Sequence, residues 1–205
     1  MSLPRVTEIV NHLFPEHPDG WLEKLGYTGK KTEQEVLEWS QDFGTTMHAW
    51  CLEGKMPEKR TRLMEKCMKQ FEKFLVKECP KTIYTEKKVI GKDEFKNPIY
   101  MGTSDWGARI KGRVGLIELK FFSCWRWWLK FKIPTCPEIS AGKAAKTNLQ
   151  TKLYEEGQDD FFPDFRAVLW ITPDFYVYKE FPREPKKLEA AIEYAKSLVN
   201  KALNF

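Results

Sequence analysis

The chain has 205 residues, 31% charged and 42% hydrophobic, an ordinary soluble composition long enough for one domain with a substantial core. Its net charge of +5 permits a nucleic-acid partner without demanding one, since whole-chain charge bears on encounter and solubility. Five cysteines (Cys51, Cys67, Cys79, Cys124, Cys136), an odd number without a CxxC pair, argue against a disulfide framework or zinc ribbon and for a reducing cytosol; MSLPRVTEIV lacks a basic-then-apolar leader and no apolar run reaches membrane-spanning length, so the expected location is intracellular and cytoplasmic, with no membrane partner.

In chain order, residues 33–52 read as a helix with Thr32 as N-cap before Glu33 and Glu35. Residues 58–77 form a clearer amphipathic helix, with Leu63, Met64, Cys67, Met68, Phe71, Phe74 and Leu75 at three- and four-residue steps and Pro80 closing it. The pattern then turns to strand: residues 83–90, then 99–111 and 114–122 as a hairpin. Residues 123–137 are irregular and rich in Trp, Lys and Pro, and 139–156 read as a helix. Residues 167–172 and 175–181 form a second hairpin turning at Pro173-Asp174. A last helix starts near Pro185, with Leu188, Ala191, Ile192, Ala195, Leu198, Val199 and Ala202 on its apolar side. This order predicts an α/β domain with a central mixed β-sheet flanked by helices.

The stretch GTSDWGARIKGRVGLIELKFF places Asp105, Glu118 and Lys120 in strand that otherwise belongs in a core. With Gly112-Arg113 as a two-residue type II′ loop, Lys111 pairs with Val114 and Asp105 faces Lys120 across the ladder. Opposed residues, and residues two apart, share a face, so the two acids and the lysine cluster on one side of the sheet. Converging carboxylates repel and make a poor structural pair, but they suit a hard divalent cation. A neighbouring lysine can hold or activate water, or neutralise charge on a phosphate. The competing reading is a half-exposed strand with its charges on the wet side; Glu-x-Lys alone carries no information.

Asp105, then Glu118-x-Lys120 on a hairpin, resembles the PD-(D/E)xK nuclease superfamily, specifically its RecB-like branch with phage-type exonucleases. Two more motifs agree in order and spacing. GTTMH supplies Gly44 and His48, resembling the upstream Gly-x-x-x-His helix, although the acid often found four residues later is replaced by Leu52, with Glu53 one step on. NLQTKLYEEG supplies Gln150 and Tyr154, resembling the Gln-x-x-x-Tyr helix; Lys146 lies four residues earlier and extends that stripe. The resemblance spans about residues 43–181. It implies a restriction-endonuclease-like core in one nuclease domain over residues 1–205, helical to about residue 80 and sheet-centred from 81 onward.

The resemblance further implies a divalent-metal-dependent deoxyribonuclease. Asp105, Glu118, His48 and the Leu119 carbonyl hold Mg²⁺, with Mn²⁺ as substitute, and Lys120, Gln150 and Tyr154 complete the catalytic set. Glu86, on the preceding strand, reads as an exposed strand acid or a contact to a second ion. The cysteine positions do not fit the iron–sulfur sub-branch, so no cluster is expected. Trp125, Arg126, Trp127, Trp128 and Lys130 can stack on bases and track phosphates, together with Lys143 and Lys146; the alternative for the tryptophans is a buried cluster or a subunit contact. The resemblance implies an exonuclease acting on duplex ends or single strands in recombination or replication, with 5′-phosphate products. A strand-annealing protein or a homo-oligomer are partners of this type, and a viral source would put the chain in host cytoplasm. An endonuclease or single-strand-specific nuclease of the same fold, a non-catalytic nucleic-acid-binding module, and a metal-dependent hydrolase of other substrates stand as alternatives.

Overall fold

The computed structural model describes residues 3–15, 32–121, 141–181 and 184–203. Five strands form one mixed sheet in the order β1-β2-β3-β4-β5: Lys81–Lys92, Pro98–Ile110, Arg113–Phe121, Phe165–Ile171 and Tyr176–Glu180. The pairs are antiparallel except β3–β4, which is parallel. A parallel pair needs a crossover, and helix α4 (Ala141–Glu156) lies between those strands in the chain. The other helices are α1 (Val6–Leu13), α2 (Glu33–Glu53), α3 (Arg62–Glu78) and α5 (Leu188–Leu203). The α/β class with helices flanking a mixed sheet is as expected. Among the described residues no helix is long and apolar enough to cross a membrane.

Two cores sandwich the sheet. On one side Phe43 and Met47 of α2 and Cys67, Phe71 and Phe74 of α3 pack on Trp106, Ala108, Ile110, Ile117 and Leu119. On the other, Val6, Ile9 and Val10 of α1, Leu149, Leu153 and Tyr154 of α4, and Ala191 and Ala195 of α5 pack on Leu116, Ile99 and Tyr100. Strand β4, FRAVLWI, is buried at every position, as expected for a strand covered on both faces.

Local chemistry explains the helix ends. Thr32 accepts from the Glu35 N–H (3.2 Å) while the Glu35 carboxylate accepts from the Thr32 N–H (2.7 Å), a reciprocal capping box. Helix α3 begins later than residue 58 because Thr61 caps it, its hydroxyl accepting from the Met64 N–H at 3.2 Å. Helix α1 has no counterpart among the sequence expectations, although Val6, Ile9, Val10 and Leu13 show helical spacing.

The β2–β3 turn corrects the expected register. Ile110 pairs with Arg113, so the loop is Lys111-Gly112 rather than Gly112-Arg113. Both loop residues have positive φ, 50° and 83°, which is a type I′ turn. Moving the loop by one residue shifts the pairing by two, so strand parity survives. Asp105 therefore lies in line with Glu118, not Lys120.

Candidate active site

The β2–β3 ladder ends at Trp106↔Ile117. Beyond it β2 continues with β1, and β3 continues with β4. The sheet forks there, and Asp105 sits in the fork. Its Oδ2 accepts from the Leu119 N–H at 2.8 Å, taking the place of a strand carbonyl. Glu86 stands opposite Asp105 on β1, between the pairs Thr85↔Trp106 and Lys87↔Ser104. Glu86, Asp105 and Glu118 thus form a row of carboxylates across three strands.

The alternation of both strands changes phase at this row. In β2, Tyr100 lies on the α4 side, whereas Trp106, Ala108 and Ile110 lie on the α2–α3 side. In β1, Tyr84 and Val89, an odd number of residues apart, both lie on the α4 side. Between them Glu86 has φ 51°, a left-handed conformation costly for a residue with a Cβ. The kink interrupts the regular alternation where the carboxylates meet.

Helices supply the rest from opposite faces. From α2, the Nε2–H of His48 donates to the Leu119 carbonyl at 3.1 Å, and Nδ1 lies 3.5 Å from Glu86 and 3.8 Å from Asp105. Ligand atoms of His48, Glu86 and Asp105 all fall within 4.8 Å of one another, a span one cation can close. From α4, the Gln150 amide donates to Glu118 Oε1 at 2.7 Å and to the Tyr154 hydroxyl at 2.9 Å. Lys120 Nζ donates to the same Glu118 oxygen at 2.7 Å. Glu118 Oε2 is buried and has no hydrogen-bond partner.

Electrostatics favour a cation. Burial, reinforced by the Asp105 charge, pushes the Glu118 carboxyl up to about 8, against the pull of Lys120. Burial likewise raises Asp105, opposed by His48 and Lys120. Burial alone would lower the His48 imidazole, but Asp105 and the bond to Glu86 outweigh it and hold it above its usual value. Buried like charges with an unsatisfied oxygen are costly unless a positive ion shares them. The donor set of carboxylate oxygens and one imidazole fits Mg²⁺ or Mn²⁺.

The structure therefore gathers Asp105, Glu118, Lys120, His48, Leu119, Gln150 and Tyr154 at one place. Lys143 and Lys146 lie on α4, with the Lys143 ammonium 5.9 Å from the Trp170 ring centroid. Trp125, Arg126, Trp127, Trp128 and Lys130 lie outside the described residues. Sequence reasoning set Glu86 lower than its position in the row warrants. It also passed over Gly102, where a Cβ would fall 2.7 Å from Tyr154 Cε1 and 3.0 Å from Val6. This glycine lets the tyrosine ring lie against the β2 backbone. Gly102→Val is expected to cost about 1–3 kcal/mol in urea denaturation, because the added side chain must displace the Tyr154 ring or Val6.

No protein-family model and no curated protein matches this sequence. Similar solved structures include the alkaline exonuclease LHK-Exo from Laribacter hongkongensis, at 13% identity and TM-score 0.41 over 80% of this chain and 81% of that one. LHK-Exo in complex with dAMP gives 15% identity and TM-score 0.40 over 80% and 79%. The protein SSO0001 gives 11% identity and TM-score 0.39 over 95% and 85%.

Proposed function

We propose that the chain is a divalent-metal-dependent deoxyribonuclease of the PD-(D/E)xK type, most simply an exonuclease working from DNA ends. The observation that carries this reading is Glu118: one oxygen takes two donors, and the other is buried, unpartnered and beside a second carboxylate. Asp105, Glu118, His48 and Glu86 would hold the cation, and the Leu119 carbonyl would join them once the imidazole releases it. A bound Mg²⁺ or Mn²⁺ supplies Lewis acidity to the scissile phosphate and acidifies the attacking water.

The protein's own groups do the remaining work. Lys120 projects from the half-exposed end of β3, its side chain 34% accessible. There it can orient the attacking water, assist its deprotonation, and offset charge on the phosphate. Gln150 fixes the Glu118 carboxylate through Oε1, which would leave Oε2 for the cation, and Tyr154 buttresses Gln150 from one helical turn away. Lys143, Lys146 and the segment Trp125, Arg126, Trp127, Trp128 and Lys130 would carry phosphate and base contacts.

The test is a time course on end-labelled linear duplex, closed circular duplex and single strand, with Mg²⁺, Mn²⁺ or chelator. The expected result is metal-dependent loss of linear DNA with 5′-phosphate products while the circle survives. Nicking of the circle would make the enzyme an endonuclease of the same fold. Binding without cleavage under either metal would overturn the enzymatic reading in favour of a binding module.

A further inference from the structure

We infer that Arg166 is a positioning residue: its buried guanidinium sets the rotation of α4 and so presents Gln150 to Glu118. This rests on the metal-dependent reading above.

Arg166 interrupts an otherwise apolar strand and is 3% exposed. Its Nη1 donates to the Asn148 carbonyl at 3.0 Å and to Asn148 Oδ1 at 2.8 Å. Its Nε lies 2.8 Å from Glu155 Oε2. Glu155 also lies 3.5 Å from Lys152 Nζ. A buried arginine is expensive, and here burial lowers its pKa against the pull of Glu155. A well-packed apolar residue would hold a helix on a sheet at less cost, so what the ionic contact adds is direction.

The spacing shows which direction. Asn148 and Glu155 are seven residues apart, two turns along one face of α4. Gln150 and Tyr154 lie within the same two turns, on a face about 130° round the axis. Arg166 therefore grips one side of the segment that aims the other. It also stands beside Leu116 in the β3–β4 register, two residues before Glu118. The clamp and its target are thus built on neighbouring strands, and a roll or slide of α4 against β4 would be felt directly in the 2.7 Å Gln150–Glu118 bond. Displacements near 1 Å are enough to cost about a hundredfold in rate.

The experiment compares the full chain with Arg166→Met, Gln150→Ala and the double variant. It measures melting temperature, Mn²⁺ affinity by calorimetry without DNA, and kcat and KM on linear duplex. The expected result is that Arg166→Met weakens Mn²⁺ binding and lowers kcat by about tenfold or more with KM little changed. The double variant should then be no worse than Gln150→Ala alone, because both act through one bond. Glu155→Gln, which loosens the same clamp without exchanging the arginine, should show the same non-additivity with Gln150→Ala and decides the matter if Arg166→Met fails to fold. Losses that simply add, or variants that lower the melting temperature and leave Mn²⁺ affinity and kcat unchanged, overturn the inference and leave the metal reading standing. Wild-type protein that neither binds Mn²⁺ nor cleaves overturns both.

Discussion

Asp105→Asn will leave the protein folded and able to bind DNA, and will slow cleavage at least about a thousandfold. A metal held in place supplies several kcal/mol of charge stabilisation to hydrolysis, which is lost when a carboxylate no longer holds it, and each 1.4 kcal/mol is about tenfold in rate. Asparagine keeps an oxygen for the Leu119 N–H, now at 2.8 Å from the carboxylate, so the fork of β2 and β3 survives. What disappears is one of two buried anionic groups that repel each other. In chelator the variant should therefore melt higher than wild type, by about 0.5–2 kcal/mol of stability, a trade of function for stability common at charged sites. Mn²⁺ should stabilise wild type by about 2.7 kcal/mol at a hundred times its Kd and the variant far less. Thermal melts with and without Mn²⁺, paired with cleavage rates, check all three outcomes. Equal Mn²⁺ stabilisation of both proteins would remove Asp105 from the cation site.

The difference between what was legible and what was not lies in parity and packing. Asp105, Glu118 and Lys120 were readable because strand faces depend only on whether spacings are odd or even, so a misplaced turn did not scatter them. The turn itself was misread because Lys111, with φ 50°, gives no sign in its side chain of a left-handed backbone, whereas Gly112 invites the first loop position. Glu86 is exposed, as expected of a strand acid, but its place opposite Asp105 follows from the β1 register and its φ of 51°, which side-chain spacing does not reveal. Arg166 fell one residue short of the expected strand 167–172 and drew no reading, since its partners Asn148 and Glu155 meet it only when α4 folds over β4. Gly102 drew no reading because the ring that requires it, Tyr154, comes from a helix much later in the chain. The helices were legible where caps and apolar stripes coincide, as at Thr32, and less so in the short α1.

Lys120→Met should lower kcat by about a hundred- to ten-thousandfold, the range for a group that handles a proton in the transition state. KM for DNA and Mn²⁺ affinity should stay within a few-fold. The contrast with Asp105→Asn follows from position. Lys120 touches Glu118 Oε1 at 2.7 Å, while the unpartnered Oε2 is the oxygen that would take the proposed cation. Removing the ammonium leaves both carboxyl groups in place, with Gln150 still on Oε1 at 2.7 Å; it also removes a charge that holds both carboxyls down, so stronger proton competition is offset by weaker repulsion of the cation. A fall confined to kcat and kcat/KM marks an interaction made in the transition state alone. Lys120→Arg separates the two roles a cation can play here. Arginine restores the charge but cannot surrender a proton near neutral pH, since its pKa exceeds about 12. Recovery of most of the rate in the arginine variant would mean that Lys120 acts by neutralising the phosphate. An arginine variant as slow as the methionine variant would mean that the amine itself handles the proton of the attacking water. Near-wild-type kcat in Lys120→Met would reduce Lys120 to a counter-ion for Glu118.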